Sequence, residues 1–338
     1  MKKLMAMVVL LLPLYGMWGA LKEGSIGIEL IAPMEKSLHH EELASVVVAL
    51  TSPDVTKIII SAEANQSSEM IRQKGRDTYC KSIRLIPGEN TITVMAMGKE
   101  GAMGKLSTVI YHDIVTDKAY KYPPEMYTTM NFHLPANEKV CAPCHKMEVN
   151  ELPGIAFNNP SDSNCFTCHQ KLTTRGKGHA PAINWLCTSC HKTAQMIGDE
   201  GNKSVGTQKF RLPPLVGDEC LSCHKKEREQ WAEKNYHHLP FDANQCVRCH
   251  NPHSSEHQFH LKAKAWDICT SCHIDKRDGN HFINTFGSKN HPTRGKPDPS
   301  RPGKELECIS CHNPHASDTR SLIEGKSPMS ICAKCHKK

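Results

Sequence analysis

Cysteine and histidine recur in this chain at a fixed spacing that suits one kind of chemistry. Of the 17 cysteines, sixteen form eight Cys-x-x-Cys pairs, and a histidine follows each pair directly. The paired cysteines are Cys141, Cys144, Cys165, Cys168, Cys187, Cys190, Cys220, Cys223, Cys246, Cys249, Cys269, Cys272, Cys308, Cys311, Cys332 and Cys335. The histidines that close the motifs are His145, His169, His191, His224, His250, His273, His312 and His336. Histidine makes up only 21 of 338 residues, so chance does not explain eight such repeats.

The Cys-x-x-Cys-His string is the attachment sequence of c-type haem. Two cysteines three positions apart lie on one helical turn, where each can form a thioether with a haem vinyl group. The histidine then lies beneath the porphyrin and donates a ring nitrogen to iron. The sequence therefore predicts eight covalently bound haem c groups. A zinc ribbon also uses paired cysteines, but it gives no reason for a histidine after every second cysteine.

Histidines outside the motifs are candidates for the second axial ligand of each iron. Three of them lie eight residues before the first cysteine of a motif, each with a proline two positions later, and a fourth copy is displaced by the insertion 294–303. Two more follow their motifs in identical His-Asn-Pro-His strings. The histidines in these recurring positions are His133, His179, His238, His291, His253 and His315. Because a surface histidine has no reason to recur in register, we predict that these six bind iron.

Two further ligands are needed for eight irons. His281, in the gap after the sixth motif, is predicted to be one of them. The other comes from His237, His257 or His260; the sequence does not choose among them, and His260 is preferred. Two histidines per iron leave no coordination position for a substrate, and they hold haem at a lower potential than methionine–histidine ligation does. This ligand set predicts an electron carrier rather than an enzyme.

The elements that must position these residues lie in residues 131 to 338. Glycine and proline are frequent there, apolar periodicity is weak, and about 26 residues are available for each motif. That is too little chain to surround each haem with its own fold. We therefore predict an octahaem cytochrome c domain with short helices, long loops and a core of stacked haems.

Residues 22 to 115 contain no such motif and follow a different pattern. Short apolar or alternating runs are separated by turn sequences such as 87–90 and 98–101, which predicts an all-β sandwich. The segment resembles immunoglobulin-like modules, although it lacks their Cys–Trp–Cys core. The single Cys80 is predicted to be a packed strand thiol. The histidines of this segment, His39, His40 and His112, are predicted to lie on its surface.

The two remaining segments are predicted to connect the two parts of the chain and to direct its export. Residues 116 to 130 are predicted to be a stiff linker whose tyrosines pack against the neighbouring module. Residues 1 to 21, with Lys2 and Lys3 before an apolar stretch, predict an export signal, and a retained anchor is the alternative. The formal charge of +7 describes the bare polypeptide. Haem propionates would bring the protein close to neutral, so the charge does not indicate nucleic-acid binding.

The strings 238–273 and 291–336 resemble the doubled Cys-x-x-Cys-His module of multihaem c-type cytochromes. The resemblance covers residues 131 to 338 and implies electron transfer in the periplasm, across the outer membrane or at the cell surface. It implies redox partners such as other cytochromes, quinol-oxidising complexes or outer-membrane complexes. The second pair of motifs departs from the pattern, since its members lie far apart and no Asn-Pro-His follows His191. This puts the ligands of the haems at Cys187 and Cys220 in doubt.

Two other functions are compatible with the sequence. An octahaem reductase of nitrite, hydroxylamine or tetrathionate would need one haem with an open position, which the second pair could supply. Families of that kind often replace a motif histidine by lysine, whereas all eight motifs here end in histidine. The third interpretation is a subunit of an extracellular haem filament or a membrane-surface assembly, with a surplus histidine binding a haem of the next subunit.

Overall fold

The structure is a computed structural model of the 338-residue chain. It describes residues 26–63, 66–72, 74–113, 124–130, 132–152, 154–192, 209–210, 216–277, 281, 291–327 and 329–336. The predicted export signal lies outside these residues, as does much of the predicted linker. Within the described residues, no helix is long and apolar enough to cross a bilayer.

Alternating apolar side chains build two β-sheets in the N-terminal part. The eight strands are β1 Ile28–Ala32, β2 Leu38–His39, β3 Leu43–Leu50, β4 Lys57–Ala62, β5 Gln66–Ile71, β6 Thr78–Arg84, β7 Gly88–Gly98 and β8 Gly101–His112. One sheet has the order β1-β3-β6 and the other β2-β8-β7-β4-β5. In β7, every second residue, from Ile92 through Val94 to Ala96, is fully buried. These side chains meet Val46, Val48 and Ile28 of the other sheet in one shared core.

Six runs of the sequence are predicted to be strands: 26–31, 45–50, 55–60, 82–86, 91–97 and 106–110. Each overlaps a strand of the structure, with shifted ends, and the structure also contains β2 and β5, which lie outside these runs. The sequence of β5, Gln-Ser-Ser-Glu-Met-Ile, is mostly polar because this strand lies at the edge of its sheet. Between β7 and β8 the register leaves a two-residue turn, and Gly101 adopts φ +125°, a conformation that favours glycine.

Two predictions for individual residues of this region are wrong. Cys80 is an exposed residue of β6 rather than a packed one, because the buried positions of that strand are taken by Tyr79 and Ile83. His112 is 2% exposed at the end of β8, not on the surface. Burial lowers the pKa of His112 from 6.5 to about 4, since desolvation disfavours the charged ring.

The buried His112 predicts a loss of stability of the sheets in acid. Its folded-state pKa lies below the unfolded value of 6.5, so the stabilisation is complete above pH 6.5, declines as the pH falls and levels off below about 4. The difference corresponds to about 3 kcal/mol. We expect His112→Phe to reduce this decline by about half, because burial also lowers the pKa of the neighbouring His39 to about 4 and that contribution stays. The decline is measured by hydrogen exchange of β7 and β8 after correction for intrinsic rates. The control is His40→Phe, at an exposed histidine. This variant should keep the same decline of stability in acid. An unchanged decline in the His112 variant would contradict the assignment.

Part of the predicted linker packs as expected. Tyr127 is 6% exposed, its ring centroid lies 5.2 Å from that of Tyr111, and its hydroxyl donates to Glu89 at 2.6 Å. The backbone of Thr128 bonds to that of Lys36 and Leu38, which fixes the chain against the sheets as it leaves. Tyr120 and Tyr122 lie outside the described residues.

The C-terminal part consists of short elements, as predicted. In the residues that the structure describes, its α-helices are α1 Pro135–Cys141, α2 Phe166–His169, α3 Ala180–Ile183, α4 Val216–Cys223, α5 Lys225–Ala232, α6 Leu239–Asp242 and α7 Ala265–Cys272. Its strands, of two residues each, are β9 Lys177–Gly178, β10 Tyr236–His237, β11 Ser254–Ser255 and β12 Ala316–Ser317. Strand β9 pairs with β11, and β10 pairs with β12. These two pairs join segments roughly 80 residues apart in sequence. The first brings the segment before the third motif to the segment after the fifth, and the second brings the segment before the fifth motif to the segment after the seventh.

Candidate haem sites

All eight motifs share one backbone geometry. In each, the histidine N–H donates to the carbonyl of the first cysteine, four residues earlier, at 2.8–3.0 Å. This bond closes one helical turn, which puts the two cysteines on the same face. The repeated turn presents two sulfur atoms and an imidazole together, as thioether attachment of haem requires.

Seven of the eight motif histidines face another histidine at nearly constant distance. Their ring centroids are 6.0–6.2 Å apart. The pairs are His169–His133, His191–His253, His224–His179, His250–His315, His273–His238, His312–His281 and His336–His291. An iron held by two ring nitrogens at roughly 2 Å each separates the centroids by roughly 6 Å. The spacing therefore leaves room for one iron between each pair of rings.

The histidines that precede the motif pairs follow a simple rule. His133 lies before the first motif but faces His169 of the second. In the same way His179, His238 and His291 face the fourth, sixth and eighth motifs. Each pair of motifs thus receives a histidine from the segment before it, on its second member. The sequence showed the recurring position of these histidines but not which motif each one faces.

The third and fifth motifs receive histidines from later segments, and the seventh receives one from the segment before it. His253, directly after the fifth motif, faces His191 of the third, and His315, after the seventh, faces His250 of the fifth. His281 faces His312. The two motifs of the second pair, in doubt from sequence, thus both have a facing histidine.

His145 of the first motif is the exception. Among the described residues, which include every histidine of the chain, none faces it at this spacing. By the rule above its partner would follow the third motif, where the sequence continues Lys-Thr-Ala in place of Asn-Pro-His.

The three histidines left open by the sequence lie elsewhere. The ring of His260 packs edge-on against that of His179 at 5.5 Å, and its Nδ1 is buried. His237 lies 2.9 Å from a carboxylate oxygen of Asp242. His257 is half-buried. None of the three faces a motif histidine across the spacing described above, and the role of His260 as a ligand stays a prediction.

Hydrogen bonds at Nδ1 orient most of the facing rings. His179 donates to the carbonyl of Pro252 and His238 to that of Pro314, both at 2.9 Å. The remaining carbonyl contacts are His191 to Phe210, His250 to Phe259, His291 to Pro292 and His312 to Ser321, at 2.6–3.3 Å. A carbonyl can only accept, so Nδ1 carries the proton and the Nε2 lone pair is free for a metal.

Strained backbone supplies two of these carbonyls. Phe259 and His260 have φ of +58° and +54°, and the corresponding residues after the seventh motif, Ser321 and Leu322, have +59° and +55°. Left-handed conformations are costly for residues other than glycine and cluster at functional sites. Here they aim the carbonyls of Phe259 and Ser321 at the motif histidines.

Burial keeps the imidazole rings of His169 and His315 neutral. Desolvation lowers the pKa of His169 and of His315 to about 4. Both rings therefore have a nitrogen lone pair to donate at neutral pH.

Cysteines of consecutive motifs lie next to each other. The hydrogen bond between Cys165 and Cys187 lowers the pKa of Cys165 to about 7 and raises that of Cys187, and Glu151 lies within 4.8 Å of both thiols. Cys246 has its pKa lowered to about 7 in the same way by Cys220. Hydrogen bonds between thiols join three consecutive pairs of motifs, through Cys165 with Cys187, Cys220 with Cys246, and Cys269 with Cys308. In the other four cases burial raises the pKa of a thiol, and a thiol of the neighbouring motif raises it further electrostatically: Cys141 and Cys168, Cys190 and Cys223, Cys249 and Cys272, and Cys311 and Cys335. The attachment points thus follow one another in sequence order.

Comparison with known proteins agrees with this geometry. The family model of the doubled CXXCH motif matches residues 238–278 and 301–338. The multiheme cytochrome MtrA of Shewanella baltica is 27% identical over 188 residues, which is 51% of this chain and 51% of that protein. This chain is a multihaem c-type cytochrome. The high-molecular-weight cytochrome c of Nitratidesulfovibrio vulgaris is 24% identical to it over 210 residues, 56% of this chain and 36% of that one. The cytochrome thus spans about half of the first relative and about a third of the second.

Solved structures give only weak likenesses. The fibronectin(III)-like modules of Clostridium thermocellum CbhA are 12% identical, covering 30% of the cytochrome and 99% of their own chain, with a TM-score of 0.20. The sulfur carrier protein SoxY of Chlorobium limicola is 18% identical, covering 27% and 82%, with a TM-score of 0.22. These scores are too low to define the fold of the N-terminal sheets.

Proposed function

We propose that this cytochrome binds eight haem c groups and relays electrons along them, with seven of the irons held between two histidines. The observation that carries the proposal is the set of seven facing histidine pairs at 6.0–6.2 Å. The sixteen motif cysteines would attach the porphyrins, and their paired histidines would ligate iron from both sides. When bound, haem supplies a site that takes up and releases one electron.

The surrounding residues support transfer without bond-making chemistry. The two histidines of each facing pair would hold the iron between them and leave no position for substrate or water. Carbonyls at Nδ1 fix the ring orientation and the position of the ring proton, which keeps Nε2 available to the metal. Two nitrogen ligands also favour low potentials relative to methionine–histidine ligation.

We further propose that the relay follows sequence order, from the first motif to the eighth. The support is that thiols of consecutive motifs interact throughout the series, three times through a hydrogen bond, as between Cys165 and Cys187 or between Cys220 and Cys246, and otherwise electrostatically. Because cysteine is the attachment point, adjacent thiols bring the edges of consecutive porphyrins together. Electrons would enter at one end of this series and leave at the other.

Location and partners are part of the same proposal. The predicted signal at residues 1 to 21 would export the chain to the periplasm or cell surface, where other redox proteins would donate and accept its electrons. The sandwich of residues 22 to 115, of the immunoglobulin-like type, would dock a partner or space the haem region from a surface. Its shared core of two sheets supports such a rigid module.

A second candidate function is favoured by one observation. Since no described histidine faces His145, the haem on Cys141 and Cys144 could offer an open position. A reductase of nitrite, hydroxylamine or tetrathionate would use such a haem. This observation favours the first pair of motifs over the second as the location of such a haem.

Electron paramagnetic resonance on the oxidised holoprotein separates the two functions. A relay is expected to give eight haems by denaturing mass spectrometry, at least seven of them low-spin, and a spectrum that nitrite, hydroxylamine and tetrathionate do not change. The reductase is expected to show one high-spin haem whose signal responds to one of these substrates. Fewer than seven low-spin haems in fully loaded protein would overturn the ligand assignment itself.

A further inference from the structure

A carboxylate of the N-terminal sheets reaches a proposed haem ligand. Glu41 lies between β2 and β3, and its Oε1 is 3.0 Å from Nδ1 of His253, more than 200 residues later in the chain. Its other oxygen, Oε2, accepts from the side-chain amide of Asn251 at 3.2 Å. The side chains of Glu41 and His253 are 25% and 24% exposed, so water has limited access to this contact. A carboxylate therefore crosses between the two parts of the chain to hold one ring.

The ring that Glu41 holds is aligned with its partner. His253 and His191 are 6.1 Å apart with only 6° between their planes, the smallest angle among the facing pairs. Asn251 also fixes the backbone of His253, since its Oδ1 accepts the His253 N–H at 2.9 Å. Glu41 thus occupies Nδ1 of His253, so Nε2 is the ring nitrogen available to a metal.

The internal repeat offers a natural comparison. His315 occupies the same place in its His-Asn-Pro-His string and has the same backbone bond, from its N–H to Asn313 at 3.0 Å. Its ring, however, lies over that of Trp231, with centroids 4.0 Å apart and 24° between planes. Two ligands equivalent by sequence thus differ in their surroundings: one meets a carboxylate and the other an indole.

This difference has an electronic consequence. A carboxylate that accepts from Nδ1 makes the imidazole more basic than a neutral carbonyl or an aromatic ring does. A more basic ligand donates more charge to iron and favours the ferric state, so the reduction potential falls. Glu138, beside Nδ1 of His133 at 3.2 Å, is also bound by Lys209 at 2.8 Å, which opposes the effect there. Glu227 lies 3.9 Å from Nδ1 of His224, beyond hydrogen-bond distance.

We propose that Glu41 is a positioning residue that acts through His253 to lower the potential of the haem held by His191 and His253. The N-terminal sheets thereby set the potential of one member of the relay, the third in sequence order. The inference rests on the proposed function, because it takes His253 as an iron ligand.

The test is potentiometry of the holoprotein with Glu41→Gln. Glutamine keeps the size and an acceptor oxygen but removes the charge. We expect one midpoint potential to rise and the others to stay, with all haems retained and the same number low-spin. Glu42→Gln is the matched control, because it removes the same charge one residue away and breaks the ion pairs of Glu42 with Arg84 and Arg175 at the same junction. It should leave every potential unchanged.

The outcomes separate this inference from the proposed function. Unchanged potentials in the Glu41 variant, with low-spin haems intact, overturn the role of Glu41 but leave the relay standing. Equal shifts in both variants mean that the junction acts only through docking or general charge, and also overturn it. If the variant does not mature, near-infrared magnetic circular dichroism of the unmodified protein decides. One low-spin species should have its charge-transfer band displaced by imidazolate character, and its absence would refute the inference.

Discussion

Replacing Cys246 and Cys249 together by serine is expected to remove one haem from the mature protein. Serine cannot form a thioether, and covalent attachment is what holds the cofactor in a chain with so little fold of its own. Denaturing mass spectrometry should show a loss of one haem mass, and the ratio of haem to protein should fall by one part in eight. The remaining motifs lie on separate helical turns, so their haems should stay attached.

The double variant should lose a larger fraction of its electron-transfer rate than of its haem content. The fifth motif lies in the middle of the series, with its thiols next to those of the fourth and the sixth. Losing its porphyrin would open a gap that electrons must cross in one step. We expect intramolecular transfer after rapid reduction of one end to become biphasic, with part of the haem population reduced much more slowly.

Cys80 provides the control for both measurements. It is a cysteine of the same chain, exposed on β6 and outside any motif. Cys80→Ser should keep every haem and the unmodified kinetics. If Cys80→Ser lost a haem, or if the double variant kept all eight covalently, the attachment scheme would be wrong.

The sequence predicted the haem-attachment motifs correctly as local turns, because the spacing of neighbouring residues alone determines that geometry. The short interval between the two cysteines and the histidine is local, so each motif could be predicted to form one turn, and all eight do. Strand positions such as β7 were equally accessible, because alternation from Ile92 to Ala96 reports a face buried against a core. In contrast, the edge strand β5 and the burial of His112 depend on neighbours from other strands, which local pattern does not reveal.

The sequence could not reveal which histidines face each other when they lie far apart in the chain. That His253 belongs with His191 rather than with its own motif follows from the pairing of β9 with β11, which joins distant segments. The carboxylate of Glu41 at His253 is more remote still, since nothing in the sequence around residue 41 signals haem. The doubt over the second pair of motifs arose for the same reason: its facing histidines come from other segments.

The second large effect concerns the ligand opposite the sixth motif. His237 ends strand β10 and His238 follows it with extended backbone, so their side chains point to opposite sides. His238 faces His273 at 6.2 Å and donates from Nδ1 to Pro314, whereas His237 lies beside Asp242. Only one of the two adjacent rings can therefore reach the iron of the sixth motif.

We expect His238→Met to raise the potential of one haem by on the order of 0.1 V, since methionine–histidine ligation favours the ferrous state and axial ligands tune haem potentials over a range of about 0.8 V. The haem should remain low-spin and gain the absorption band typical of iron–methionine ligation. His237→Met is the matched control and should leave all potentials in place.

A shift in the His237 variant with none in the His238 variant would reverse the assignment. No shift in either would mean that the facing geometry at His273 does not describe its ligation. Because the two variants differ only in which side of one short strand they alter, any difference between them reports the position of iron rather than the stability of the fold.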